Sequence, residues 1–213
     1  MNLRSITPRP IRSAAKRLLR GDPQKAWEKS GYAVPAPVKV KWAVLHRHGT
    51  PGANWIETGT YQGETTAFLA RRAQMVHSIE PEPTLAAQAR ERFRNHDNVA
   101  IIEALSEEAL DGLMSSIDGC LSLWLDGHYS AGITYQGPQD TPIREELAAV
   151  ERHLGRFPTI TVLVDDVRCF DPSNPGYSQY PTRTWLVEWA DRNGLSWTIE
   201  HDIFVATRRV AAS

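Results

Sequence analysis

The residues best equipped for chemistry stand where an apolar run ends. In "TVLVDDVRCF", residues 161–170, buried-strand residues give way to Asp165 and Asp166 side by side. Adjacent like charges repel, so one resists ionising unless positive charge is near. A second apolar run, Leu121 to Leu125, ends in Asp126, with His128 and Tyr129 following at once. If these two strands are neighbours, three carboxylates meet at one spot, a costly arrangement without compensation. A hard divalent cation such as Mg²⁺, which takes a few carboxylates plus waters and substrate oxygens, resolves the conflict. There is no Cys/His spacing for zinc. One aspartate has another outlet, since it can cap a turn or pair with Arg168.

Two further strand ends are polar. "ETGTYQGETT" puts Glu57 at the end of one strand, with Gly59 and Gly63 bracketing a turn into a helix. Glycines there let a ligand approach the backbone, although many such turns use glycine for steric reasons alone. The spacing is not the G-x-G-x-x-G dinucleotide pattern. "VHSIEPEP" brings Glu80 to the end of the next strand, where an acid can accept both ribose hydroxyls of a nucleoside.

These ends need a frame that brings them together. Strand-like runs at residues 54–59, 75–81, 98–104, 120–127 and 159–166 alternate with helical patterns at 64–73, 83–95, 106–117, 141–155 and 181–194, and two more strands finish the chain. Near-continuous apolar strands separated by helices imply a parallel sheet covered on both faces. Ligands of such sheets bind outside the strands' carboxyl ends, where every motif above lies. Ser106 and Thr141 read as helix caps. Trp185 and Trp189, four apart, read as core. Tyr177 and Tyr180 are candidates for an acceptor pocket, and His46 and His48 for a surface loop or an acceptor contact. Residues 34–42, "VPAPVKVKW", read as a linker, so the division is a basic arm and linker over 1–40 and one domain over 41–213.

With 213 residues the chain is long enough for one α/β domain with a sizeable core. A net charge of −1 gives no overall electrostatic case for nucleic acid. The two cysteines, Cys120 and Cys169, read as reduced core thiols. No apolar run reaches the ~18 residues of a membrane span, and the lack of a signal-type apolar segment favours a cytoplasmic protein. The basic N-terminal stretch "IRSAAKRLLRG" reads as a solvated helix over the domain edge; a membrane-surface helix, a partner-binding arm and a transit peptide are its alternatives.

Taken in order, the motifs resemble those of class I S-adenosylmethionine-dependent O-methyltransferases of the metal-dependent type. "ETGTYQG" is similar to the glycine turn of the catechol O-methyltransferase-like enzymes, "VHSIEPEPTLAAQARERF" to their ribose-binding segment, and "EALSEEAL" to a Gly-x-Ser segment beside the adenine, with Ala104 in the glycine's place. "LWLDGHY" and "VLVDDV" resemble the two metal segments, and the Asp-Asp form resembles the macrocin-type sugar O-methyltransferases. The resemblance covers roughly residues 54–170. It implies a Rossmann-like, doubly wound, seven-stranded, mostly parallel sheet with a C-terminal antiparallel hairpin. It places Glu57, Gly59, Tyr61, Gly63, Thr65, Glu80, Ser106 and Asp126 at S-adenosylmethionine, and Asp126, Asp165 and Asp166 at the metal. The catechol enzymes' lysine base falls on Tyr129 here, and the acid of the macrocin type falls on His128. The implied reaction is metal-assisted methyl transfer to a hydroxyl of a small molecule such as a sugar, diol or catechol, with His128 the first candidate base and Tyr129 the second. "SAGITYQGPQD", residues 130–140, reads as a lid or acceptor loop. A metal-dependent hydrolase on the same aspartates and a non-catalytic methyltransferase-like binding module are the alternatives, and a homo-oligomer is left open.

Overall fold

The computed structural model describes residues 22–126 and 141–209. Seven strands form one sheet: β1 (Asn54–Thr58), β2 (Val76–Ile79), β3 (Val99–Ile102), β4 (Leu121–Leu125), β5 (Thr159–Val164), β6 (Ser196–Glu200) and β7 (Ile203–Arg209). Their spatial order is β3-β2-β1-β4-β5-β7-β6. The β1–β2, β1–β4, β2–β3 and β4–β5 pairs are parallel, while β7 runs antiparallel to β5 and to β6. The order reverses between β1 and β4, so the ends of these two strands and their neighbours open the crevice where ligands of such sheets bind.

The helices are α1 (Pro23–Lys29), α2 (Val38–His48), α3 (Glu64–Ala70), α4 (Pro83–Phe93), α5 (Ser106–Ser116), α6 (Ile143–His153) and α7 (Arg183–Arg192). Side-chain alternation splits the strands between two cores. Ile56, Leu123, Leu125, Val162 and Val164 pack with α5, α6 and α7 on one face. Trp55, Trp124, Leu163 and Val205 pack with α2 and α3 on the other. Val44 and Leu45 of α2 are fully buried there, and each contributes about 2 kcal/mol to docking that helix.

Three local readings are corrected. The linker of residues 34–42 ends early: Pro37 is the N-cap of α2, which carries Lys41, Trp42, His46 and His48. The prolines mark the start of a helix, and the two histidines lie in its last turn, not in a loop. Ser106 is the first residue of α5, with Leu105 as N-cap, and Pro142, not Thr141, is the N-cap of α6, although Thr141 Oγ1 still accepts from Ile143 N at 3.3 Å. Tyr180 is buried edge-on against Phe170. Trp189 is core as expected, and Trp185 is half-buried beneath Arg144. Both cysteines are free, with Cys169 buried. The basic helix of the N-terminus and residues 130–140 lie outside the described residues. Among the described residues no helix is long and apolar enough to cross a membrane.

Candidate active site at the carboxyl edge of the sheet

The turn after β1 is held open by its backbone. Gly59, Tyr61 and Gly63 have φ of 87°, 48° and 73°, and Gly59 N and Thr60 N both donate to Ile79 O. Glu57 braces the turn from below. It is buried, it faces its β2 neighbour Ser78, and its Oε2 accepts from Ser78 Oγ at 2.6 Å and Thr66 Oγ1 at 2.5 Å. Burial pushes this carboxyl up to about 7. Glu57 therefore ties β1, β2 and α3 together beneath the turn.

Glu80 is only 4% exposed. Its Oε2 accepts from Tyr61 N at 2.7 Å and its Oε1 from Glu82 N at 3.0 Å, which clamps the acid against the glycine turn. Burial raises its pKa, against the pull of those two N–H groups. Each oxygen retains a lone pair for a further donor. Ser106 lies one strand over, buried at the start of α5, and its hydroxyl meets Glu146 of α6. Nothing in the motifs of the sequence singles out Glu146. It is 1% exposed, burial pushes it up to about 7, and it also takes the Thr58 hydroxyl. Its other oxygen, Oε1, has no partner among the described residues. The signal was available, because Glu146 interrupts the apolar face of Ile143, Leu147 and Val150.

The aspartates do converge. β4 and β5 are parallel neighbours, with Leu125 paired to Val164. One carboxylate oxygen from each of Asp126, Asp165 and Asp166 lies within 4.8 Å of the others. Asp166 adopts a left-handed backbone at φ 57°, so the chain turns sharply and both acids face the same side. Asp166 N donates to Asp165 Oδ1 at 2.8 Å.

Two cations meet this cluster, one distant in the chain and one two residues from Asp166. Lys41 of α2 pairs through Nζ with Asp165 Oδ2 and, at 3.1 Å, with Asp166 Oδ1. Arg168 pairs with Asp166 and, through the same nitrogen, with Asp202 in the turn between β6 and β7. Burial lowers the pKa of Lys41, but the field of Asp165, Asp166 and Asp126 outweighs it and holds the ammonium charged. Burial above all, then Asp126 and Asp166, push Asp165 well above the ordinary carboxylate range, with Lys41 opposing. Three converging carboxylate oxygens, one each from Asp126, Asp165 and Asp166, suit a hard divalent cation. The alternative outlet for Asp166, pairing with Arg168, is also realised.

Beside the cluster is a cavity of about 430 Å³, walled by Val38, Lys41 and Trp42 of α2, Thr65 of α3, and Trp124 and Asp126 of β4 and its end. Trp42 stacks on Phe68 at 5.1 Å and donates from Nε1 to Thr65 Oγ1 at 3.2 Å. Trp124 Nε1 is buried with no partner among the described residues. His128 and Tyr129 lie outside the described residues.

No family model matches the chain, and no curated protein matches it by sequence. Solved structures match its fold. N-methyltransferase NodS from Bradyrhizobium japonicum WM9 is 12% identical over 80% of this chain and 94% of its own, with a TM-score of 0.53. A Clostridium thermocellum protein described as an rRNA methylase is 13% identical over 82% of this chain and 97% of its own, with a TM-score of 0.50. A Streptococcus mutans protein described as a methyltransferase, in complex with S-adenosylhomocysteine, is 13% identical over 82% and 98%, with a TM-score of 0.49. The likeness is one of architecture: the chain has the Rossmann-like seven-stranded fold of class I methyltransferases.

Proposed function

We propose that the protein transfers a methyl group from S-adenosylmethionine to a hydroxyl of a small polyhydroxylated molecule, with a divalent cation at Asp126, Asp165 and Asp166. The observation that carries this reading is the placement of Glu80, clamped to the glycine turn, and the three aspartates along one edge of the sheet. A hydrolase would have no use for a nucleoside cradle next to its metal ligands.

In this reading Glu80 accepts the ribose hydroxyls, and the open turn at Gly59–Gly63 lets the cofactor lie against the backbone. Ser106 and Thr65 border the cofactor at its two ends. The cavity takes the acceptor, with Trp42 and Trp124 as walls and the free Trp124 N–H as a donor to an acceptor oxygen. The bound ion would lower the pKa of the acceptor hydroxyl. His128, or failing it Tyr129, receives the hydroxyl proton. The oxygen attacks the sulfonium methyl carbon, the C–S bond breaks, and its electron pair stays on sulfur as S-adenosylhomocysteine leaves. Most of the acceleration comes from alignment of oxygen and methyl.

The rRNA methylase among the fold neighbours raises a nucleic-acid acceptor. The cavity wall carries Asp126 and Asp166 as well as Lys41 and Arg168, so it offers no net basic surface to a phosphate backbone, and an uncharged diol fits the proposal better. Asp165→Ala tests it: methylation of a vicinal-diol panel should fall at least a hundredfold while S-adenosylhomocysteine binding stays within about threefold. Unchanged, metal-independent turnover in that variant would remove the ion from the account.

A further inference from the structure

Lys41 reaches the aspartate pair from a helix 124 residues away in sequence. Its Nζ bonds Asp165 Oδ2, and the other oxygen of that residue, Oδ1, takes Asp166 N. The Asp166 oxygen it touches at 3.1 Å is the one Arg168 also holds. A cation from the chain itself thus occupies one oxygen of each of the two adjacent acids. An ion of the Mg²⁺ type sits about 2.1 Å from each ligand oxygen. An ammonium bonded to the same oxygen would lie within roughly 4 Å of it, where like charges in a poorly solvated pocket repel strongly.

We infer that Lys41 is a tethered cation that competes with the divalent ion for Asp165 and Asp166. The inference rests on the reading of the acid cluster as an ion site. Without the ion, Lys41 stops the carboxylates from repelling one another. When the ion binds, the ammonium leaves Asp165 Oδ2 and swings on its flexible stem into the adjoining cavity, whose wall it already forms. The ion is therefore bound more weakly than three converging carboxylates would otherwise allow. The opposite role, a lysine that merely orients the ligands, makes the opposite prediction, since its loss would loosen the ion.

The test is Mn²⁺ binding to the full chain, followed by electron paramagnetic resonance and thermal shift. Lys41→Met should bind Mn²⁺ at least tenfold more tightly than wild type, and Lys41→Arg should bind it as weakly as wild type. Metal-free Lys41→Met should melt below wild type and gain more on adding Mn²⁺. Equal or weaker Mn²⁺ affinity in folded Lys41→Met, with wild type binding normally, overturns the competition and leaves the ion reading standing. If neither protein binds millimolar Mn²⁺, both fall, while S-adenosylhomocysteine binding remains a separate question. Should Lys41→Met not fold, a wild-type crystal soaked in Mn²⁺ decides: Lys41 Nζ more than about 4 Å from Asp165 Oδ2 supports the inference, and an intact bond beside a bound ion overturns it.

Discussion

Arg168 donates through one nitrogen to Asp166 and Asp202, joining the end of β5 to the turn between β6 and β7. Both acids are buried and both have positive φ, at 57° and 71°. Two buried carboxylates on strained backbone therefore share one guanidinium, whose pKa those bonds raise against the cost of burial. Arg168 N also donates to Asp202 Oδ1 at 2.7 Å, which closes the link.

Removing that guanidinium should be costly. Arg168→Met takes the guanidinium away from both acids and leaves Lys41 to Asp166, so unfolding free energy should drop by about 3 kcal/mol, measured by urea titration. Lys at this position should recover only part of the loss, because an ammonium cannot reproduce the shared geometry. A loss below about 0.5 kcal/mol, the range of exposed pairs, would show the link to be ornamental.

Gly63 closes the turn after β1 at φ 73°, and a Cβ there would lie 2.8 Å from Phe93 Cε2. Gly63→Ala combines left-handed strain with that clash, a penalty of about 2 kcal/mol. Stability by chemical denaturation should fall accordingly, and S-adenosylhomocysteine affinity should fall at least tenfold because the turn shifts. An alanine variant with normal stability and affinity would contradict the geometry of the turn.

The buried Glu57 sets a pH dependence. Its carboxyl titrates near 4.5 when unfolded and at about 7 when folded, chiefly through burial. Between those values the folded protein keeps a proton that the unfolded chain has released. Stability is thus greatest at the acid end and declines as pH rises through that window, by on the order of 3 kcal/mol for this group. Glu57→Gln should flatten the decline in melting temperature between about pH 5 and pH 8. It should not abolish it, because Glu146 is shifted to about 7 in the same direction. A variant with the wild-type slope would show that Glu57 does not titrate as described.

The sheet was legible because buried parallel strands are continuous apolar runs: residues 120–127 and 159–166 each contain the strand that the structure shows, at Leu121–Leu125 and Thr159–Val164. The convergence of Asp126 with Asp165 and Asp166 followed from those strand ends once β4 and β5 paired. Caps were less legible. Ser106 and Thr141 each miss the N-cap by one residue, since cap type tolerates such a shift. Of the partners of the acids, Arg168, two residues from Asp166, was legible and Lys41 was not. Lys41 sat in a proline-punctuated stretch that read as a linker, and nothing local to Lys41 points across 124 residues to Asp165, nor anything local to Asp202 across 34 residues to Arg168. Such pairings exist only once the sheet has brought α2 and the last hairpin to one edge.

The most direct test of the central claim is calorimetric titration of the protein with S-adenosylhomocysteine. The account predicts one site per chain with micromolar affinity, weakened at least tenfold in Glu80→Ala and nearly unchanged in Asp165→Ala. No heat and no thermal shift at millimolar ligand, or equal binding by Glu80→Ala, would contradict it.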